Sequence, residues 1–431
     1  MKYFVKLGML FGTLVVVSVL FIIGMVKIPE WTSQRRIEDV EQYAVSVDEI
    51  VIPENAVIVG IGEATHGNVE FQMVKLNLLK NMVAQGSCRS IVFEMPVGDG
   101  MALNDCVHDL NGDAKEAVHK LSYPLYCTDE MVELVDWVKA YNQTVPEEEM
   151  IHIYGIDMQN AGLSAYRVAE YMTAYGMEEL DDIGKQRIKE ICENYEGLIE
   201  GDRVLFEDIV SILEKRYREE KDEKIWQVLY NAQTVLQVCT DHVYFDEDAD
   251  GYSDYRDECM LVNMQRILTY ERERGFGRIL LTAHNGHLMR GDSMSFGTIT
   301  LGERIAQEYQ EGYFVIGTDF FYANVNIHTN NADANVRENH RFCSADVLAA
   351  QAKNMTDGRY YLDFSTISDT HSELYGLLHQ KGYMGMVGEG YNIFTKLFLT
   401  YRVEVVPTDR YDAVIYVYEA NPINPKVFVG K

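Results

Sequence analysis

Ala56-Val57-Ile58-Val59-Gly60-Ile61-Gly62, followed by Glu63-Ala64-Thr65-His66-Gly67, is the stretch that decides the fold. An apolar, β-branched run stops at a glycine. A carboxylate and an imidazole then follow, three residues apart, and a helical pattern begins near Val69. A short continuous apolar run closed by glycine reads as a strand buried on both faces. In an open α/β sheet, reactive groups collect at the carboxyl ends of parallel strands, where loops form a crevice. A Glu and a His delivered there together mark a candidate site.

The same pattern recurs outward from this stretch. A helix over about 69–85 ends at Gly86. A second strand, 90–93, ends in Glu94-Met95-Pro96. A third, 150–156, ends in Asp157-Met158-Gln159. A fourth, 278–283, ends in His284-Asn285-Gly286-His287, and a fifth, 312–317, ends in Thr318-Asp319. Between about 160 and 275 no convincing strand occurs. Apolar residues recur there at three- and four-residue spacing through 163–174, 183–199, 203–217, 225–239 and 255–270. Two further strands, 359–364 and 413–418, flank a helical stretch at 372–380. Strands alternating with helices imply a parallel sheet covered on both faces. The expected fold is therefore α/β: a mostly parallel sheet with helices on both faces and a large all-helical insertion. Residues 51–425 read as one such domain, preceded by a linker and first helix at 28–50.

The chain has 431 residues, with 38 Lys and Arg against 67 Asp and Glu, a formal net charge of −29. So acidic a chain argues against nucleic acid as a partner, because phosphate binding needs basic patches. Seven cysteines are scattered without a CxxC pair. That disfavours a structural zinc site and leaves one bridge, Cys106 to Cys127, open. Residues 7–26 are uncharged and mostly apolar, long enough at 1.5 Å per residue to span roughly 30 Å of hydrocarbon. Their length and the lack of a small-x-small cleavage site favour an uncleaved transmembrane signal anchor over residues 1–27. The large domain would then lie outside the cytoplasm, held to the membrane through this helix. Nothing in the sequence indicates an oligomeric state.

Glu63 and His66, Glu94, Asp157, and His284 with His287 all follow apolar runs at the same end of what should be one sheet. Each has an ordinary alternative. Glu63 and Glu94 suit helix N-termini, Asp157 suits a cap for a helix opening near Gly162, and Asn285 suits a turn. Their coincidence favours a site. No GxSxG elbow, strand-end cysteine, P-loop or Gly-x-Gly-x-x-Gly is present, which leaves activated water as the nucleophile. A histidine near its neutral-range pKa suits the base, with a carboxylate to orient its ring. A second histidine or a cation suits the developing oxyanion. Arg256, Met260 and Asn263 share one face of an insertion helix; a solvated Arg256–Asp257 pair is the simpler reading there.

Gly62-Glu63-Ala64-Thr65-His66-Gly67 with Glu70-Phe71 resembles the signature of the erythromycin esterase family. Phe93-Glu94, Gly155-Ile156-Asp157-Met158-Gln159, Arg256-Asp257 with Met260 and Asn263, and Ala283-His284-Asn285-Gly286-His287 follow in the family's order. So does Tyr411-Asp412-Ala413-Val414-Ile415-Tyr416, and the resemblance runs from about residue 40 to 420. It implies hydrolysis of a carboxylic ester or macrolactone, a small-molecule substrate, by activated water with no cofactor and no metal. His66 would be the general base, with Glu63, Glu94 and His284 as its catalytic partners. Lys75, Asp157, Arg256, Asn285 and His287 would serve substrate binding. The family carries an arginine nine positions after the base. Lys75 stands there instead, a cation without the bidentate fork. Two other readings stay open. One is a metallohydrolase using Glu63, His66, Glu94, His284 and His287 as ligands. The other is a non-catalytic envelope protein on the same scaffold.

Overall fold

The computed structural model describes all residues except 1, 87, 200, 242–248, 293–297, 330–335 and 427–431. Helix α1, Lys2–Thr32, opens the chain and leaves Phe11, Val16, Val17, Phe21 and Trp31 exposed. The side chains of residues 2–10, 14, 18–20 and 22 lie outside the described set, and with them much of the expected membrane segment. Among the described residues no helix is long and apolar enough to cross a membrane.

The chain divides into two compact units. The first comprises residues 50–63, 72–316 and 423–431; the second comprises 1–49, 64–71 and 317–422. The first unit is built on β1 Ile58–Glu63, β2 Cys88–Pro96, β3 His152–Asp157, β4 Arg278–His284 and the opening residues of β5 Tyr313–Thr329. They run side by side in the order β3-β2-β4-β1-β5, all parallel. Every residue of β1 through β4 is buried, because helices cover both faces of the sheet. That double burial is why these strands read as unbroken apolar runs instead of alternating ones.

Parallel register sets the strand ends level. Glu63 pairs with His284 across β1 and β4, and Pro96 with Asp157 across β2 and β3. Gly62 is a glycine because a Cβ there would collide with the side chain of Asn285. Helix α2, Val69–Ala84, begins in the second unit and continues in the first, and α3, Val97–His108, follows β2 directly.

The expected insertion is present as α4 Gly162–Tyr175, α5 Asp182–Glu193, α6 Asp202–Glu220, α7 Glu223–Asp241 and α8 Ala249–Glu273. Val168, Met172, Ile188, Phe206, Ile209, Leu213 and Val235 give these helices an apolar core of their own. Two polar side chains join them to β3: Tyr230 Oη donates to the Gly155 carbonyl at 2.7 Å and Asn263 Nδ2 to the Ile156 carbonyl at 2.9 Å. Helix α9, Leu301–Tyr309, precedes β5.

The second unit is mainly antiparallel. Over Tyr322–His328, β5 pairs antiparallel with β6 Arg337–Cys343, and β7 Arg359–Asp363 pairs antiparallel with β11 Ala413–Ala420. Short strands β8 Gly382–Gly385, β9 Gly390–Tyr391 and β10 Arg402–Val405 complete it. Strand β5 runs far beyond the expected 312–317. Its second half alternates buried Ala323, Val325 and Ile327 with partly exposed Tyr322, Asn324 and Asn326, the period of a strand with one wet face. None of the seven cysteines is paired, Cys106 and Cys127 included.

Candidate active site

Five charged side chains interlock at the carboxyl ends of β2, β3 and β4. Arg256, on α8, reaches Asp157 with Nη2 at 2.8 Å and Nε at 3.2 Å, and Glu94 with Nη2 at 2.8 Å. His287 turns Nε2 to Glu94 at 3.2 Å and Nδ1 to Asp257 at 2.6 Å. The other oxygens are also held: Glu94 Oε2 accepts from the His284 amide at 2.8 Å, and Asp257 Oδ2 from the Leu301 amide at 2.9 Å. The latter places a carboxylate on the first turn of α9, where the helix dipole favours it. Tyr126 Oη donates to the Glu94 carbonyl at 2.6 Å and fixes the backbone at the end of β2.

The charges set the proton inventory. Burial alone would lower the pKa of His287, but the carboxylates of Glu94 and Asp257 outweigh it and push it from 6.5 to about 10. Despite burial, Asp157 and Glu94 hold the Arg256 guanidinium well above its ordinary range. Arg256 Nη1 also stands 3.1 Å from His287 Nε2. With the imidazolium form, that nitrogen's proton goes to Glu94, and three carboxylates surround the two adjacent cations, one negative charge in excess. A value raised on folding stabilises most below the unfolded value and is lost as pH rises through the folded one. The stability that His287 contributes should therefore be complete below pH 6.5 and disappear as pH rises through about 10. The difference in unfolding free energy between the wild type and His287→Gln, measured over this window, should shrink as pH rises. A flat difference curve would contradict the assignment.

His284 is the N-cap of a short turn, and its Nδ1 accepts from the Gly286 amide at 3.2 Å. That leaves the ring proton on Nε2. Asn285 is fully buried beside Gly62.

Glu63 and Lys75 form a separate buried ion pair. Lys75 is only 1% exposed and lies over the faces of Phe93 and Tyr126, 5.6 and 5.7 Å from their centroids. Removing one member of such a pair strands the other charge. Lys75→Met should cost about 3–5 kcal/mol of stability, and adding Glu63→Gln should recover most of it. Denaturant unfolding of the single and double variants measures this; a single variant within about 1 kcal/mol of wild type would count against a buried charged pair.

His66 is half-buried in the segment 64–71, which belongs to the second unit. That segment is clamped along its length. The Ala64 amide donates to Thr318 Oγ1 at 2.8 Å and the Val387 amide to the Ala64 carbonyl at 2.8 Å. The Asn68 side-chain amide donates to the carbonyls of Asn324 and Asn421, both at 2.9 Å, and Thr65 bonds Asn68. Gly67 has no room for a Cβ against the Asn326 carbonyl. The imidazole is thus carried on a loop with little freedom.

The structure brings Glu94, Asp157, Arg256 and His287 into one network, sets Glu63 with Lys75, and places His284 and Asn285 beside these groups. Asp157 does not cap α4, whose N-cap is Ala161; its carboxylate is taken by Arg256 and by the Gln159 amide at 3.1 Å. Arg256 and Asp257 are not a solvated pair, since each faces its own partner. Asp257 and Tyr126 were missed as site residues. The Arg256-Asp257 dipeptide was the available signal for the first; nothing local singles out Tyr126. Among the described residues no three His, Cys, Asp or Glu side chains are arranged to hold a metal ion.

The erythromycin esterase family profile matches residues 83–420. The chain belongs to the erythromycin esterase family. The matched span takes in Glu94, Asp157, Arg256, His284 and His287, and begins after the Gly62–Gly67 motif. Among solved structures, a protein from Bacillus cereus is similar at 18% identity and a TM-score of 0.72, over 92% of this chain and 99% of that one. A succinoglycan biosynthesis protein is similar at 18% identity and a TM-score of 0.69, with the same coverage. A histidine-to-asparagine mutant of the erythromycin esterase EreC, in its open conformation, is similar at 15% identity and a TM-score of 0.54, over 88% and 93% of the two chains. These likenesses show a shared fold. A search of curated proteins finds no match.

Proposed function

We propose that this erythromycin esterase family member hydrolyses a carboxylic ester or lactone with water activated by His66. The observation that carries the reading is the network around Glu94, where Arg256, His287 and the His284 amide occupy both oxygens of one strand-end carboxylate. Such locking holds charged groups in one geometry before substrate arrives. His66 takes a proton from water, which attacks the acyl carbon; the C–O bond breaks and the alcohol leaves with a proton. Glu63, three residues before His66 in the chain and paired with Lys75, is the carboxylate partner this reading gives the base. His284, with its proton on Nε2, donates to the carbonyl oxygen as negative charge develops there. Asp157, Arg256, His287 and Asn285 position these groups and the substrate. The carboxylates of the cluster are engaged by cations and amides.

The test is a panel of aryl esters and macrolactones, assayed after dialysis against chelator in ¹⁸O-labelled water. One labelled oxygen in the acid product, formed at an undiminished rate after chelation, is the expected result. A rate lost on chelation and restored by zinc or manganese would overturn the mechanism in favour of a metallohydrolase.

A further inference from the structure

Asp157 ends β3 at the proposed active site; His152 begins the strand, five residues and roughly 17 Å away. A cavity of about 780 Å³ opens at this other end, lined by His108 and His152 together with Glu170, Tyr171 and Glu223. Five carboxylates and two cations, Arg167 and Lys224, stand on its wall. Arg167 already pairs with Asp105 at 2.7 Å, and Lys224 lies over the Tyr175 ring.

The protons in this region can be assigned from geometry. Arg274 Nη1 donates to both oxygens of Glu271 at 2.9 and 2.8 Å, against burial that raises this carboxyl's pKa, and Tyr154 Oη donates to Glu271 Oε1 at 2.7 Å. A phenol has one proton to give. His152 Nδ1, 2.8 Å from Tyr154 Oη, is therefore the donor of that contact. This leaves His152 Nε2 with a bare lone pair. Its neighbour Glu223 Oε1 is 3.9 Å away and is itself an acceptor. His108 repeats the arrangement: Nδ1 lies 2.8 Å from the Asn104 carbonyl, which can only accept, and Nε2 is buried without a hydrogen-bond partner. His152 is 2% exposed. Burial, with Arg274 and His108 nearby, holds its pKa well below 6.5, so it stays an acceptor.

Two imidazole lone pairs and a carboxylate, on a wall rich in negative charge, call for a ligand that donates and is positive. A protonated primary amine offers three N–H donors on a single positive charge. We propose that this cavity binds a protonated alkylamine, its ammonium on His152 Nε2 and Glu223 and its hydrocarbon along Tyr171. The site is independent of the hydrolytic reading, since it shares no residue with it.

Calorimetric titration of the full chain with 1,4-diaminobutane, at about 0.15 M salt to screen diffuse attraction, tests the proposal. One saturable site for the diamine and none for 1,4-butanediol is expected. Glu223→Gln, on a partly exposed side chain whose carboxylate also accepts from Gln227 Nε2 at 3.0 Å, should weaken binding by at least about tenfold while the melting temperature stays within a few degrees of wild type. His108→Phe should weaken it as well, while Glu219→Gln, on the exposed end of α6, should leave it unchanged. Equal binding of the diol, heat that does not saturate, or equal losses in Glu223→Gln and Glu219→Gln would each overturn it.

Discussion

His66→Ala is expected to lower kcat on a true ester or lactone substrate by about 10²–10⁴-fold, the range general-base catalysis supplies. KM should change little, because the imidazole acts on water in the transition state and not on the bound ground state. The fold should survive, since the clamps on this segment come from the backbone and from Thr65, Asn68 and Thr318. A melting temperature within a few degrees of wild type, together with the kcat loss, is the result that supports the base. Near-full activity in the variant would remove His66 from that role. Restoration of part of the rate by added imidazole would separate a missing base from a displaced loop.

Arg256→Ala should be among the most destabilising single changes available in the first unit. It leaves Glu94 and Asp157 facing each other as buried carboxylates with one neighbouring cation, His287, between them and neutrality. Loss of one partner from a buried ionic network costs about 3–5 kcal/mol, against a total stability of about 5–15 kcal/mol for a typical protein. Arg256→Lys keeps the charge but cannot reach Asp157 with two nitrogens and Glu94 as well, so it should recover only part of the loss. Urea unfolding of the three proteins measures the series. If Arg256→Ala unfolds within about 1 kcal/mol of wild type, the network is not what holds these strand ends together.

The parallel half of the fold was legible because its strands are buried on both faces. Apolar runs such as 56–62 and 278–283 have no other ready reading, and the residues after them, Glu63 and His284, pair across neighbouring strand ends. The insertion helices were legible from three- and four-residue spacing. The antiparallel half was legible only in part: 359–364 and 413–418 were read as strands, and both are. Strand β6, Arg-Glu-Asn-His-Arg-Phe-Cys, is largely polar, and its place depends on pairing with β5, which no local pattern announces. The second half of β5 went unread because Thr318-Asp319 looked like another strand end. Their neighbours explain that misreading: Thr318 receives the Ala64 amide, and Asp319 receives those of Phe320 and Gly385. Of the site, residue types and strand ends could be read directly. Partners could not, because Arg256 meets Asp157 across ninety-nine positions of chain.

The insertion helices α4 to α7 pack on an apolar core that they alone supply. That arrangement makes them a cassette. Their outward turns can be rewritten, or one set of helices exchanged for another, while the strand-end chemistry beneath keeps its own supports. A library that varies those turns and spares Tyr230 and the core positions should therefore keep its fold, which makes this layer the place to begin engineering.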